Sequence, residues 1–320
     1  MSIMLSVAET TAWLKERNNF LILTHRRPDG DTVGCAGALA QGLREIGKTA
    51  YVLSNPEMTP RYAQFVEDYI SPEGYEYEHT IMVDTASEAL FPKNGNGFKD
   101  NVSLAIDHHA SNTMYAEYTC LDASTAACAE VVYEILISLS GSISAKIAEC
   151  LYVAVSTDTG CFAFANTTAN SLRVASLLID AGAPNKALNR MLFRTKTRAR
   201  ITIESMIFGG LEFYFDGRVA IATITIDMLK SAGTVEDDID DIASLPGSVE
   251  GVLAGITIRE LTSTTDCKGS VRTSPLVDAH AISSRFGGGG HAMASGFSMN
   301  KTLDEVKEAL LEELKDFFPE

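Results

Sequence analysis

Leu21-Ile22-Leu23-Thr24-His25-Arg26-Arg27-Pro28-Asp29-Gly30-Asp31 is the stretch on which the fold turns. Phe20 to Leu23 is a short apolar run of the kind that forms a buried strand. It stops at Thr24-His25, and a Pro-Asp-Gly turn begins. Small and apolar residues follow Asp31 to about Gly47, a helix pattern closed by glycine. His25, Asp29 and Asp31 are therefore expected in a loop at the carboxyl end of a strand, where open α/β sheets bind ligands. One imidazole and two carboxylates from so tight a turn face a shared point, and a cation there would relieve their repulsion. Taken alone, the stretch is explained equally well as a polar turn with an aspartate helix cap.

The same design recurs downstream. Thr80-Ile81-Met82-Val83 ends in Asp84, and Val102-Ser103-Leu104-Ala105-Ile106 ends in Asp107-His108-His109. Three strand patterns ending in aspartate or histidine, separated by helical stretches, predict a mostly parallel sheet with one polar edge. Helices are expected over 6–17, 124–139, 144–156 and 170–181, with a further helical stretch from about 61 to 77 and a loop over 91–100. Asp158, in Ser156-Thr157-Asp158-Thr159-Gly160, brings another carboxylate to a helix end.

Residues 1–188 are assigned to this first domain, an α/β unit with helices on both faces of its sheet. The most basic stretch of the chain, with Arg190, Arg194, Lys196, Arg198 and Arg200, is expected to connect it over 189–205 to a second domain at 206–320. There, apolar runs flank Asp216-Gly217 as in a hairpin, and strands are expected near 252–260 and 269–273. A helix over about 278–286 leads into Gly287-Gly288-Gly289-Gly290-His291. A last helix begins at the capping box Thr302-x-x-Glu305 and carries Leu303, Val306, Leu310, Leu314 and Phe317 on one face. A smaller mixed α/β domain is predicted, with the active-site cleft between the two.

Composition narrows the function. A hydrophobic content of 46% and a charged content of 21% describe an ordinary globular chain. No apolar run is long enough to span a bilayer, and Glu9, Lys15 and Glu16 break up the start as no signal peptide would, so the cytoplasm is expected. The six cysteines form no C-x-x-C pair, which favours buried thiols over disulfides or a zinc site. A net charge of −16 argues against coating long nucleic acid, although bound metals and local arginines can still admit a small anionic substrate.

Pooling the strand and helix ends gives His25, Asp29, Asp31, Asp84, Asp107, His108, His109 and Asp158, including three of the chain's six histidines. Mixed imidazole and carboxylate donors suit Mn²⁺, Fe²⁺, Co²⁺ or Zn²⁺ better than Ca²⁺. Four carboxylates, Asp29, Asp31, Asp84 and Asp158, would neutralise two divalent ions. We expect two metals about 3.5–4 Å apart, the arrangement used in phosphoester hydrolysis.

His25-x-x-x-Asp29-x-Asp31, Asp84, Asp107-His108-His109 and Asp158-Thr-Gly, in that order, resemble the four motifs of the DHH phosphoesterase superfamily. Gly287-Gly288-Gly289-Gly290-His291 resembles the glycine-rich motif of the DHH-associated C-terminal domain. The resemblance spans essentially the whole chain. Its compact two-domain length looks most like the bacterial branch of nano-RNA oligoribonucleases and pAp phosphatases.

The resemblance implies that His25, Asp29 and Asp84 hold one metal, most typically Mn²⁺. Asp31, Asp84, His108 and Asp158 hold the other, with Asp84 bridging. Asp107 would orient a ligand histidine. His109 would contact the scissile phosphate, or alternatively ligate a metal. Arg272, Gly287 to Gly290 and His291 would grip the substrate's terminal phosphate and nucleotide, and Arg194 would line the cleft. The four glycines also read as a loose loop and Arg272 as a surface ion pair. The implied reaction is in-line attack on phosphorus by a metal-activated water, with di- to pentanucleotides or pAp as substrates and the second domain measuring their length. A homodimer is left open. A cyclic dinucleotide phosphodiesterase is the nearest rival. Pyrophosphatases of the superfamily use a different second domain, and a non-catalytic sensor would be expected to show degraded ligand positions.

Overall fold

The computed structural model describes residues 2–239 and 241–319, and it divides into two compact units that meet at Thr195 and Lys196. The first unit opens with β1 (Ile3–Met4), α1 (Val7–Glu16), β2 (Phe20–Leu23), α2 (Gly30–Glu45) and β3 (Ala50–Val52). After the single turn α3 (Pro60–Ala63) come β4 (His79–Val83), β5 (Leu104–Asp107) and β6 (Tyr118–Leu121). The unit closes with α4 (Cys128–Ser140), α5 (Ala145–Asp158), α6 (Ala169–Asp180) and α7 (Asn185–Asn189).

Its six strands form one parallel sheet in the order β1-β6-β5-β4-β2-β3. Strands buried on both faces read as continuous apolar runs, and alternate side chains serve alternate layers. Phe20, Ile22, Ile81, Val83, Leu104 and Ile106 enter the main core with α1, α2, α4 and α5. Leu21, Leu23, Met82 and Ala105 point the other way, against Phe91, Val102 and Ala116. That second face is covered not by α-helices but by irregular chain with short 3₁₀ turns at Glu88–Leu90 and Lys93–Phe98. The glycines, asparagines and Pro92 of this stretch cannot sustain a longer helix. Only Pro60–Ala63 and a 3₁₀ turn at Glu67–Tyr69 form within the stretch expected to be helical from 61 to 77.

Because β5, β4 and β2 are adjacent and parallel, their carboxyl ends share one edge. Helix α2 reaches the same edge by lying very close to α5. A Cβ at Gly30 would sit 2.3 Å from Thr157 Oγ1, and one at Gly34 would sit 2.3 Å from the Cys150 carbonyl. Spaced four apart, these glycines share one side of α2 and let the two backbones meet.

The basic stretch around 189–205 is structured. Arg190–Arg194 is a π-helical turn continuing α7, and Arg198 opens α8 (Arg198–Gly209) of the second unit. That unit continues with β7 (Glu212–Tyr214), β8 (Val219–Ile224), α9 (Ile226–Ala232), β9 (Ala254–Glu260) and β10 (Cys267–Thr273). It ends with α10 (Ala279–Ser284), β11 (Gly289–His291), β12 (Ala294–Met299) and α11 (Leu303–Leu314). The sheet order is β11-β12-β10-β9-β8-β7, mixed because β8 and β9 pair in parallel. Ile256, Ile258, Val271 and Phe297 pack on α10 and on Val306, Leu310 and Leu314 of α11, whose capping box forms. Among the described residues no helix is long and apolar enough to cross a membrane.

Candidate metal centre

Each ligand-type residue is aimed by its own local structure. After β2 the chain is held by Asn55, whose Nδ2 donates to Thr24 Oγ1 at 3.0 Å and to the His25 carbonyl at 2.9 Å. Asp29 caps α2, its Oδ1 accepting from the Asp31 and Thr32 amides at 3.0 and 3.3 Å. Asp31 points back into the protein and accepts from the first amides of α4, Cys128 at 2.7 Å and Ala129 at 3.1 Å. That helix terminus favours its negative charge. Asp84 follows β4 in the left-handed region, with φ of 52°, a costly conformation for a residue with a Cβ.

These side chains converge. His25 Nε2 lies 3.6 Å from Asp29 Oδ1 and 3.8 Å from Asp84 Oδ2. His108 Nε2 lies 3.4 Å from Asp84 Oδ1, 3.9 Å from Asp31 Oδ2 and 3.7 Å from Asp158 Oδ2. Two neighbouring groups result, His25-Asp29-Asp84 and Asp31-His108-Asp158, with the two oxygens of Asp84 turned toward His25 and His108 respectively. A third grouping joins Asp84 to His108 and His109.

The donor set fits divalent cations. Both candidate ligand imidazoles bond a backbone carbonyl through Nδ1, His25 to Arg26 at 2.8 Å and His108 to Thr125 at 3.3 Å. Their Nε2 atoms are thereby left toward the carboxylates, the tautomer a metal requires. Asp84 Oδ1 is buried with no hydrogen-bond partner, which is expensive for a carboxylate without a cation. Burial, reinforced by the charges of Asp31, Asp29 and Asp158, drives the Asp84 pKa well above the carboxylate range. Burial and the Asp31 carboxylate push Asp158 up to about 7. Asp31 is likewise raised by burial. Burial opposes the charged form of His25 and His108, yet the surrounding carboxylates outweigh it and raise both.

Asp107 is fully buried and takes a different partner. Its Oδ1 accepts from the His108 amide and from His109 Nδ1, both at 2.8 Å, and its Oδ2 from Asn112 Nδ2 at 2.6 Å. The histidine it orients through a ring nitrogen is therefore His109, while the His108 ring is fixed by the Thr125 carbonyl. Burial works against the Asp107 carboxylate, but the bonds from His109 and Asn112 hold its pKa below the ordinary value. Asn112 escaped the sequence reading. Its signal was the Asn-Thr turn three residues past His109, where its Oδ1 also accepts from the Met114 amide.

In the second unit the glycine-rich stretch is a turn and an edge strand, not a loose loop. Gly287 has φ of 72°, and β11 pairs with β12 through Gly289–Gly296, Gly290–Ser295 and His291–Ala294. A Cβ on Gly288 would lie 2.2 Å from the Gly296 carbonyl, and one on Gly290 2.6 Å from the Ala294 carbonyl. Those two glycines are demanded by packing. Gly289 differs, its nearest neighbour there being His280 Cε1 at 3.9 Å. Arg272 is half-buried on β10, and Arg194 is exposed at the end of the π-helical turn. Lys196 and Arg200 both pair with Glu204 within the second unit, a structural use.

Comparison with known proteins follows this division. Residues 19–155 match the model of the DHH family, N-terminal domain, and residues 216–320 match that of the DHHA1 domain. The bifunctional oligoribonuclease and PAP phosphatase NrnA of Thermus thermophilus is 32% identical over 301 residues, 92% of this chain and 89% of that protein.

The chain belongs to the DHH family.

The Bacillus subtilis protein of the same name is 26% identical, over 88% of this chain and 90% of its own length. Among solved structures, an exopolyphosphatase-related protein from Bacteroides fragilis shares the DHH fold with a TM-score of 0.86. It is 22% identical, and the match covers 98% of this chain and 97% of that one.

Proposed function

We propose that this chain is a two-metal phosphoesterase that hydrolyses short oligoribonucleotides to mononucleotides and pAp to AMP, with Mn²⁺ as the working ion. The observation that carries this reading is the buried Asp84 carboxylate, whose Oδ1 lacks a hydrogen-bond partner and whose two oxygens face His25 on one side and His108 on the other. Kinship with proteins named oligoribonuclease and PAP phosphatase supplies the substrate class.

His25, Asp29 and Asp84 would hold one ion, and Asp31, Asp84, His108 and Asp158 the other. Bound there, the ions supply positive charge to the phosphoryl oxygens and acidify a water for attack on phosphorus. His109, steered through Nδ1 by Asp107, keeps Nε2 for the phosphoryl oxygens and stabilises charge as it builds there. Asn112 holds Asp107 so that this imidazole does not swing. Arg272, Gly289 and His291 grip the substrate's terminal phosphate and nucleotide.

The test is product analysis of purified protein in Mn²⁺ with pApA, pAp, linear pGpG, cyclic di-AMP and pyrophosphate side by side. A His108→Ala variant is the blank. Mononucleotides from pApA and AMP from pAp, both absent in the blank, are expected. Turnover of cyclic di-AMP or pyrophosphate alone would keep the metal centre and reject the substrate.

A further inference from the structure

Resting on that oligonucleotide reading, we propose that Phe164 is a stacking platform for a nucleobase of the substrate, set beside the metal centre by the loop that follows Asp158. Phe164 is 56% exposed, more than any other Phe, Tyr or Trp among the described residues. An isolated exposed phenylalanine needs no explanation. This one is held in place against resistance from its own backbone. Gly160, Cys161 and Phe162 are consecutive left-handed residues, with φ of 56°, 56° and 66°. Residues with a Cβ adopt that conformation singly, not in runs, and only where surrounding structure enforces it.

Here the enforcement is dense. The Cys161 amide donates to the Ser156 carbonyl at 2.6 Å, and the amides of Ala163 and Phe164 both donate to the Thr159 carbonyl at 3.0 Å. The Phe162 amide donates to Thr159 Oγ1 at 3.2 Å, and the Phe162 ring packs inward against Tyr152. Asn166 closes the loop, its Nδ2 donating to the Asp158 carbonyl at 3.1 Å and to the Ala126 carbonyl at 3.2 Å. The turn that packs Phe162 inward thus delivers Phe164 outward.

A Cβ on Gly160 would lie within 2.6 Å of three consecutive ring atoms of Phe164, Cδ1, Cε1 and Cζ. Near-equal distances to three neighbouring atoms place that point over the face of the ring, not off its edge. One face is therefore shut against backbone that only glycine leaves bare, and the open area belongs mainly to the other. Ala163 and Ala165, both small and exposed, do not screen it. Because Gly160 is two residues from Asp158, the ring lies no more than about 12 Å from the Asp158 Cα. A base is joined to its phosphate through one ribose, so the base of a nucleotide held at the metals comes within that reach. A flat, rigid, uncharged surface takes any base by its π-face, without reading sequence.

Steady-state hydrolysis of pApA, and of two analogues abasic at one or the other nucleotide, tests the platform. Phe164→Ala should lower kcat/KM for pApA about 10- to 100-fold, mostly through KM, while Mn²⁺ affinity and melting temperature stay at wild-type values. Phe164→Trp should restore turnover and Phe164→Leu should not, because leucine is apolar without a π-face. The loss should vanish for one of the two abasic analogues, which identifies the stacked base. Wild-type kinetics in Phe164→Ala, full rescue by leucine, an equal loss on both analogues, or a loss accounted for by weaker Mn²⁺ binding overturns the proposal. In each of those cases wild-type turnover of pApA leaves the enzymatic reading standing. If wild-type protein hydrolyses no nucleotide with any divalent ion, that reading fails. Quenching of a 2-aminopurine dinucleotide by wild-type protein and not by Phe164→Ala then upholds the platform, and equal quenching, or none, overturns it.

Discussion

Asp84 sits in left-handed backbone with one oxygen lacking a hydrogen-bond partner, its pKa raised by burial and by four other carboxylates. Such strain persists only where surrounding structure enforces it, here the Asp84 amide bound to the Ile106 carbonyl at 2.9 Å. Asparagine tolerates the same backbone and removes one of the mutually repelling charges. Asp84→Asn is expected to stabilise the metal-free protein, by on the order of 1 kcal/mol, while abolishing tight Mn²⁺ binding. Melting in EDTA paired with calorimetric Mn²⁺ titration checks this, and a lower melting point would contradict it. Asn112 tests a subtler dependence. Asn112→Ala frees Asp107 Oδ2 and should cut turnover of pApA about 10–100-fold with little change in KM. Steady-state kinetics reads the split, and a change confined to KM would assign Asn112 to binding instead.

Helices α2 and α5 place Asp29 and Asp31 near Asp158 through backbone contact that only glycine permits. A side chain at Gly34 meets the Cys150 carbonyl, which cannot move aside as a flexible side chain could. Gly34→Val should therefore cost about 1–3 kcal/mol or more and weaken metal binding, whereas Gly97→Ala, where nothing lies within 4 Å, should leave both intact. Denaturant unfolding of the two variants separates them. The elements that carry ligands were legible because each joins a buried apolar run to a polar end, as in Phe20–His25, Thr80–Asp84 and Leu104–His109. The strands missed were those with weaker patterns: β1 has two residues, β3 three, and β6 and β12 mix hydroxyl and small residues. Gly288 and Gly290 carry an ambiguity of a different kind. A glycine needed for close strand contact and one needed for a ligand look identical in sequence, and only the surroundings of each Cβ distinguish them.

For the molecule as a whole, pH should govern metal uptake. Metals bind deprotonated ligands, and Asp31, Asp84, Asp158, His25 and His108 all hold their protons more tightly than free side chains do. Binding therefore releases protons, and affinity should fall as pH drops through the Asp158 value of about 7. Mn²⁺ titrations at pH 6 and pH 8 should differ by about tenfold or more, the weaker at pH 6. Equal affinities would mean that the ligands are already ionised. The parallel order of the first sheet carries a further consequence, for synthesis on the ribosome. Its first strand pairs with residues 118 and 119, and the six candidate ligands stretch from position 25 to position 158. Parallel pairing at such separations cannot begin early, so the nascent chain must expose apolar strands until α5 has emerged. A half-made chain then offers manganese no preformed nest, and loading should mark the completion of the first unit while the second is still being translated.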